Sequence, residues 1–206
     1  LTYVSGGVAS ILAVSRSAGA DFSPAAVTGY NQDIVFETGA PIYVANTVTN
    51  VLNQTAGLIS ITGEMFVGNV GAGIYNLSDG TNTVANYIGV GRSGGKGVVN
   101  MTGGVLNKTG GGHLIFGTPY QNLPGHDVSG VLNHSGGTIN VQSGQVWFPE
   151  ASSGLGAVSG TYNLSGTAVM NVGDWVAIGR NGGSGTLNMT GGTINKTGGG
   201  QPAFII

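Results

Sequence analysis

One phrase occurs twice in this chain almost unchanged. Gly97–Gly112 reads GVVNMTGGVLNKTGGG, and Gly185–Gly200 reads GTLNMTGGTINKTGGG. A shorter form, Gly-x-[Leu/Tyr/Val]-Asn-x-[Ser/Thr], keeps returning around them. Its marker Asn stands at 53, 76, 100, 133, 163 and 188, with gaps of 23, 24, 33, 30 and 25 residues. Periods of this size are the mark of a solenoid, in which each repeat buries its apolar face only by stacking on the next. A longer period lies above the short one. Asn76 and Asn163 are 87 residues apart, Asn100 and Asn188 are 88 apart, and Val51–Gly57 (VLNQTAG) resembles Val131–Gly137 (VLNHSGG). The array therefore reads as three coil types used twice.

Each coil divides into three short strands. Thr186–Thr190 is the first, a Gly191-Gly192 corner follows, and Thr193–Thr197 is the second. Asp174–Gly179 shows the third most clearly. Glycine is frequent, 41 of 206 residues, and interrupts every segment long enough for a helix. Alternation gives the strand faces. In the third strand Met65, Ile88, Leu114, Val146 and Val176 form one inward row. Val67, Val90, Phe116, Phe148 and Ile178 form another. In the first strand the rows are Leu52, Tyr75, Val99, Leu132, Tyr162, Leu187 and, two residues on, Gln54, Leu77, Met101, His134, Leu164, Met189. Only the two matching coils break the second row, with Gln54 and His134. Like residues stacked every ~4.8 Å account for such rows. The expected fold is all-β: a right-handed, three-faced parallel β-helix (β-solenoid) of about six coils, the hand following from the crossover rule. Residues 50–206 form the array, and residues 1–49 are expected to be an irregular N-terminal segment or cap, with short strands near Asp33–Glu37 and Pro41–Ala45.

Composition removes several functions. The net charge is −2 with 14 charged residues, so there is no basic surface for nucleic acid. With no cysteine, neither disulfides nor thiol chemistry apply. No apolar run reaches the roughly 18–20 residues of a membrane span. Leu1–Ala20 lacks the basic start of a signal peptide. The chain stops at Ile206 where earlier copies continue into Gly, so a piece of something longer is expected.

Gly185–Asn195 and its copies resemble repeats of bacterial secreted β-helix proteins, such as autotransporter passengers and surface proteins of the PEP-CTERM type. The likeness covers about Asn50–Ile206. It implies an extracellular or cell-surface bacterial protein, and no defined activity.

Three features bear on chemistry. Asn-x-[Ser/Thr] recurs at 53, 76, 100, 107, 133, 163, 188 and 195; the repeat itself places Asn and Ser/Thr on alternate positions, and stacked amides are expected to hydrogen-bond along the solenoid. The outward side of the third strand carries Glu64, Tyr87, His113, Gln145, Trp175 in one row and Phe66, Gly89, Ile115, Trp147, Ala177 in the next. Outward aromatics suit stacking on sugars or docking on another chain, so Tyr87, His113, Trp147 and Trp175 are candidate binding residues. Ala177, facing out, is expected to tolerate a charge that Val176 does not. Two insertions, Gly117–Ser129 and Pro149–Ser159, follow this strand on successive coils and are expected to touch; they add Tyr120, His126, Asp127 and Glu150 to the candidates. Gly89–Gly94 matches G-x-G-x-x-G, yet no helix follows, so it holds no phosphate. Lys108 and Lys196, like Arg92 and Arg180, recur at one register, which belongs to the duplication. No catalytic residues, metal or cofactor are expected. The reading is a structural or adhesive solenoid, stacking on itself end to end into filaments or holding a matrix polysaccharide. The alternatives are a carbohydrate-binding or carbohydrate-cleaving β-helix, and more distantly an ice-binding face.

Overall fold

In the computed structural model of the chain, residues 12–13, 20–21, 34–36, 41–119, 126–151, 156–198 and 204–206 are described, the first three stretches by backbone alone. They contain no helix, and none long and apolar enough to cross a membrane. All paired strands run parallel in three sheets, each taking one strand per coil. The first sheet holds Asn50–Gln54, Ala72–Leu77, Lys96–Met101, Val128–His134, Val158–Leu164 and Ser184–Met189. The second holds Leu58–Ile61, Thr81–Val84, Val105–Lys108, Thr138–Val141, Val169–Val172 and Thr193–Lys196. The third holds Met65–Val67, Ile88–Arg92, Leu114–Thr118, Val146–Glu150, Val176–Arg180 and Phe204–Ile205. This is a three-faced parallel β-helix whose six coils begin at Asn50, Ala72, Lys96, Val128, Val158 and Ser184. Pairing also continues upstream. Ile34–Phe36 lies on the second-sheet strand Leu58–Ile61, and Ile42–Val44 lies on the third-sheet strand Met65–Val67.

The marker Asn is paired with itself from coil to coil. Each amide nitrogen donates to the amide oxygen of the coil before it, at 2.7–2.8 Å along Asn53, Asn76, Asn100, Asn133, Asn163 and Asn188. A second ladder runs through Thr83, Asn107, Asn140, Asn171 and Asn195. The Asn-x-[Ser/Thr] triplets are thus products of the stack, and from Asn76 onward their side-chain nitrogens are already bonded.

The recurring Gly that opens the short phrase has a steric cause. A Cβ on Gly130 would lie 2.2 Å from the Val90 carbonyl oxygen and 2.4 Å from the Gly117 nitrogen. Gly97 and Gly185 stand in the same vise, their Cβ positions 2.2 Å from Val67 O and 2.3 Å from Phe148 O. Here the corner between the third and first sheets folds directly under the coil before it, and no side chain fits.

The inward rows are buried as the alternation predicts, except in the last coil, where Leu187 is half-buried and Met189 is exposed. Phe116, Phe148 and Tyr162 stack nearly face to face within them, with ring centres 4.4 and 5.1 Å apart. The two polar interruptions are satisfied by tyrosines of the following coil. The Tyr75 hydroxyl donates to Gln54 Oε1 at 2.6 Å, and His134 Nδ1 lies 3.1 Å from the Tyr162 hydroxyl. Burial holds the His134 imidazole down to about 4, so it is neutral, and Nε2 faces the Gly137 carbonyl at 3.3 Å. Among the described residues, one buried side-chain polar atom has no partner. Asn82 sits in the inward row of the second sheet, where the other coils carry Ile59, Leu106, Ile139, Met170 and Ile194; its Nδ2 donates to the Tyr75 hydroxyl at 3.0 Å, and its Oδ1 is unsatisfied.

Lys108 belongs to this sheet's other inward row, beside Val84 and Val141, and is fully buried. Its ammonium donates to the Gly110 carbonyl on its own corner and, at 2.7 Å, to the Ser143 carbonyl of the next coil. Lys196 makes the matching contact to Gly198 at 2.5 Å. Desolvation lowers the Lys108 amine to about 8.

Two predictions follow from this packing. Gly130→Ala should cost about 3 kcal/mol or more by forcing backbone apart, whereas Gly111→Ala, with nothing within 4 Å of its Cβ, should leave a thermal melt unchanged. The second concerns pH. The Lys108 amine is near 8 in the fold and near 10.5 unfolded, so between those values the unfolded chain holds more protons. Stability should therefore rise as pH climbs through this window, and Lys108→Met should flatten the rise when melts are recorded across it.

Candidate functional site

The outer side of the third sheet differs from the other two, which carry the Asn ladders. Its strands place three columns of side chains outward. Glu64, Tyr87, His113, Gln145 and Trp175 form one edge. Tyr43, Phe66, Gly89, Ile115, Trp147 and Ala177 form the middle, in the order set by strand pairing. Arg92, Thr118, Glu150 and Arg180 form the other edge; Arg92 pairs with Thr118, and Glu150 with Arg180.

The middle column points away from the core and is nevertheless covered: Phe66 is 4% exposed, Ile115 7%, Trp147 9% and Ala177 3%. Arginines do the covering. The Arg92 guanidinium lies 4.3 Å over the Phe66 ring, and Arg180 lies 4.2 Å over the Trp147 ring. Each arginine is fixed in turn by a partner from the coil before it. Arg92 donates to Asn69 Oδ1 at 3.0 Å, and Arg180 forms an ion pair with Glu150, whose other oxygen accepts from Asn181 at 2.6 Å. Two stacks result along the axis. One is Tyr43, Phe66, Arg92; the other is Tyr87, His113, Trp147, Arg180, with rings 5.6 Å apart at Tyr87–His113 and 4.1 Å at His113–Trp147. The recurrence of Arg92 and Arg180 is the duplication placing a cation at the end of each aromatic stack.

Trp147 is held on every side. His113 reaches its ring from the coil before, Arg180 from the coil after, and its Nε1 donates to Gln145 Oε1 at 2.9 Å. Gln145 donates onward to Asp174 at 3.3 Å. His113 Nδ1 accepts from the Gln145 backbone nitrogen at 3.0 Å. Burial first, and then the Lys108 and Arg180 charges, hold the His113 imidazole below its ordinary range, so it packs here as a neutral ring.

Between the two stacks the middle column loses a side chain at Gly89. A Cβ there would come 2.8 Å from the Phe66 ring. The Phe66 ring leans into that place, and beside it lies a groove of about 460 Å³. Gly89 and Ile115 line it along the middle column, Phe66 and Trp147 at its two ends, Tyr87 and Glu64 along one edge, and Arg92, Thr118 and Glu150 along the other. Cavities of this size with apolar walls and a few placed polar groups are the usual form of a small-ligand site.

Of the residues read from sequence, Tyr87, Trp147 and Glu150 line this groove, and His113 stacks between the first two. Trp175 is half-buried and is not among the lining residues. His126 and Asp127 lie at the corner between the third and first sheets, where the Asp127 carboxylate accepts from the Ala157 nitrogen at 3.0 Å. The two insertions do touch there, through Val128, Ala151 and Val158. Tyr120 lies outside the described residues. No three His, Asp or Glu side chains converge as metal ligands among the described residues. Glu64, Phe66, Arg92 and Thr118 were not singled out as site residues; the lone Gly89 in a column of bulky neighbours was the signal that could have found them. Comparison of the chain with protein-family models, with curated proteins and with solved structures returns no match.

The expectation that Ala177 tolerates a charge is overturned. It faces outward but lies beneath the Trp147 cluster at 3% exposure. Ala177→Asp and Val176→Asp should both destabilise by several kcal/mol, each placing an unpaired carboxylate in an apolar setting. Equal loss of melting temperature in the two variants is the expected result.

Proposed function

We propose that the chain is an extracellular structural and adhesive β-solenoid, a rigid rod that grips a saccharide chain in the groove of its third sheet. The observation that carries this reading is the groove itself, whose apolar floor of Phe66, Gly89, Ile115 and Trp147 is edged by a tyrosine, two carboxylates, a guanidinium and a hydroxyl. Sugars present that pairing of surfaces: an apolar ring face and a rim of hydroxyls that both donate and accept. The extracellular setting is supported by the likeness of the repeats to those of secreted bacterial β-helix proteins, of the autotransporter-passenger and PEP-CTERM types.

Holding is favoured over cleavage by the spacing of the carboxylates. Glu64 precedes the strand Met65–Val67, and Glu150 ends the strand Val146–Glu150, three coil steps away. At ~4.8 Å per step they stand at least about 14 Å apart, beyond the roughly 5–9.5 Å that glycoside hydrolysis requires of its carboxyl pair. Glu150 is moreover engaged by Arg180 and Asn181.

Retention on a panel of insoluble and gel-embedded polysaccharides tests the reading. The wild-type chain should be retarded by at least one of them, and Tyr87→Ala combined with Glu64→Ala should weaken that retention by about tenfold or more. The melt of the double variant should stay close to wild type. Free migration of the wild-type chain through every polysaccharide would refute it.

A further inference from the structure

Resting on that reading, we infer that the groove selects neutral saccharides, and rejects both uronate and amino-sugar polymers, because its charges cancel within the site. Two carboxylates, Glu64 and Glu150, line it. Two guanidinium groups answer them. Arg92 lines the same groove, and Arg180 is ion-paired to Glu150 from the coil above. His113, the titratable group packed between Tyr87 and Trp147, is held neutral by burial and by the neighbouring cations. The remaining polar contributions are the uncharged hydroxyls of Tyr87 and Thr118.

Each charge is also fixed in direction. Arg92 is anchored by Asn69 and lies flat on Phe66; Arg180 is anchored by Glu150 and lies flat on Trp147. A ligand carboxylate entering this site is drawn to Arg92 and repelled by Glu64, while Glu150 and Arg180 cancel each other. A ligand ammonium is drawn to Glu64 and repelled by Arg92, and it finds the Phe66 and Trp147 rings already covered by guanidiniums. Either would desolvate a charge for no net electrostatic gain. A polyol meets no such cost, since its hydroxyls donate to carboxylate lone pairs that remain open and accept from Arg92, Thr118 and Tyr87.

The test uses the full chain carrying Trp175→Phe. The protein has two tryptophans, so emission then comes from Trp147 at the groove alone. It is titrated with cellohexaose, maltohexaose and mannohexaose, with hexagalacturonate, and with hexameric glucosamine. The expected result is a shift of Trp147 emission with at least one neutral hexamer, whose affinity is unchanged between about 0.01 M and about 1 M salt although the screening length falls from about 30 Å to about 3 Å. The two charged hexamers should bind about tenfold more weakly or less. In the same background Glu64→Gln leaves the site with a net positive charge, and it should raise affinity for hexagalacturonate selectively. A salt-sensitive preference for either charged hexamer, or an unchanged uronate affinity in Glu64→Gln, would overturn the inference while leaving saccharide binding in place. No response to any hexamer would overturn both.

Discussion

Everything in this molecule depends on coils lying directly on one another, in register, at the spacing of a parallel β-ladder. Each residue then has the same two neighbours along the axis, one above and one below. Columns of like side chains follow from this, and so does the composition. Where coil corners are pressed together, as at Gly97, Gly130 and Gly185, the backbone of the preceding coil occupies the place of a Cβ. Any larger residue would break the spacing that all three sheets share. The glycine content is therefore a product of stacking, more than of chain flexibility.

The same constraint explains how polar groups enter the core. Gln54 and His134 occupy one register 80 residues apart, and each meets a tyrosine of the coil that follows, Tyr75 or Tyr162. The duplication preserved the hydrogen bond while the residue that receives it diverged. Lys108 illustrates the opposite economy. A long cationic side chain lies in an apolar row because its ammonium reaches carbonyl oxygens at the corner, one from its own coil and one from the next. The pair Arg92 and Arg180 does outside the sheet what the tyrosines do inside it, linking successive coils through rings.

The coil plan was readable because burial and period coincide in the first and third strands. Rows such as Met65, Ile88, Leu114, Val146 and Val176 admit no other face. The amide ladder was readable for the same reason, since Asn recurs at a single register. The second strand was less clear. Its inward positions hold Asn82 and Lys108, residues whose type points outward and whose burial depends on partners in other coils. The candidate site was legible only in part. Alternation places Phe66, Trp147 and Ala177 on the outer side, but outward does not mean exposed. Arg92 and Arg180 fold back over that column from the coil that follows. A period-two pattern reports which side of a strand a residue takes. It carries no information about a long side chain from another coil lying across it.

The pairing pattern also has a mechanical side. Hydrogen bonds between coils run along the axis of the rod, so tension applied at its ends loads the coil junctions in series and the three sheets of each junction in parallel. The junction between the coils that begin at Lys96 and Val128 pairs two residues in the third sheet, Leu114 with Val146 and Ile115 with Trp147, as does the last junction, where Val176 and Ala177 pair with Phe204 and Ile205. The intervening junction pairs four residues in that sheet, through Glu150 and Arg180. The thin ladder between Ile115 and Trp147 lies beside the groove, so any ligand bridging these two residues would act there as a splint.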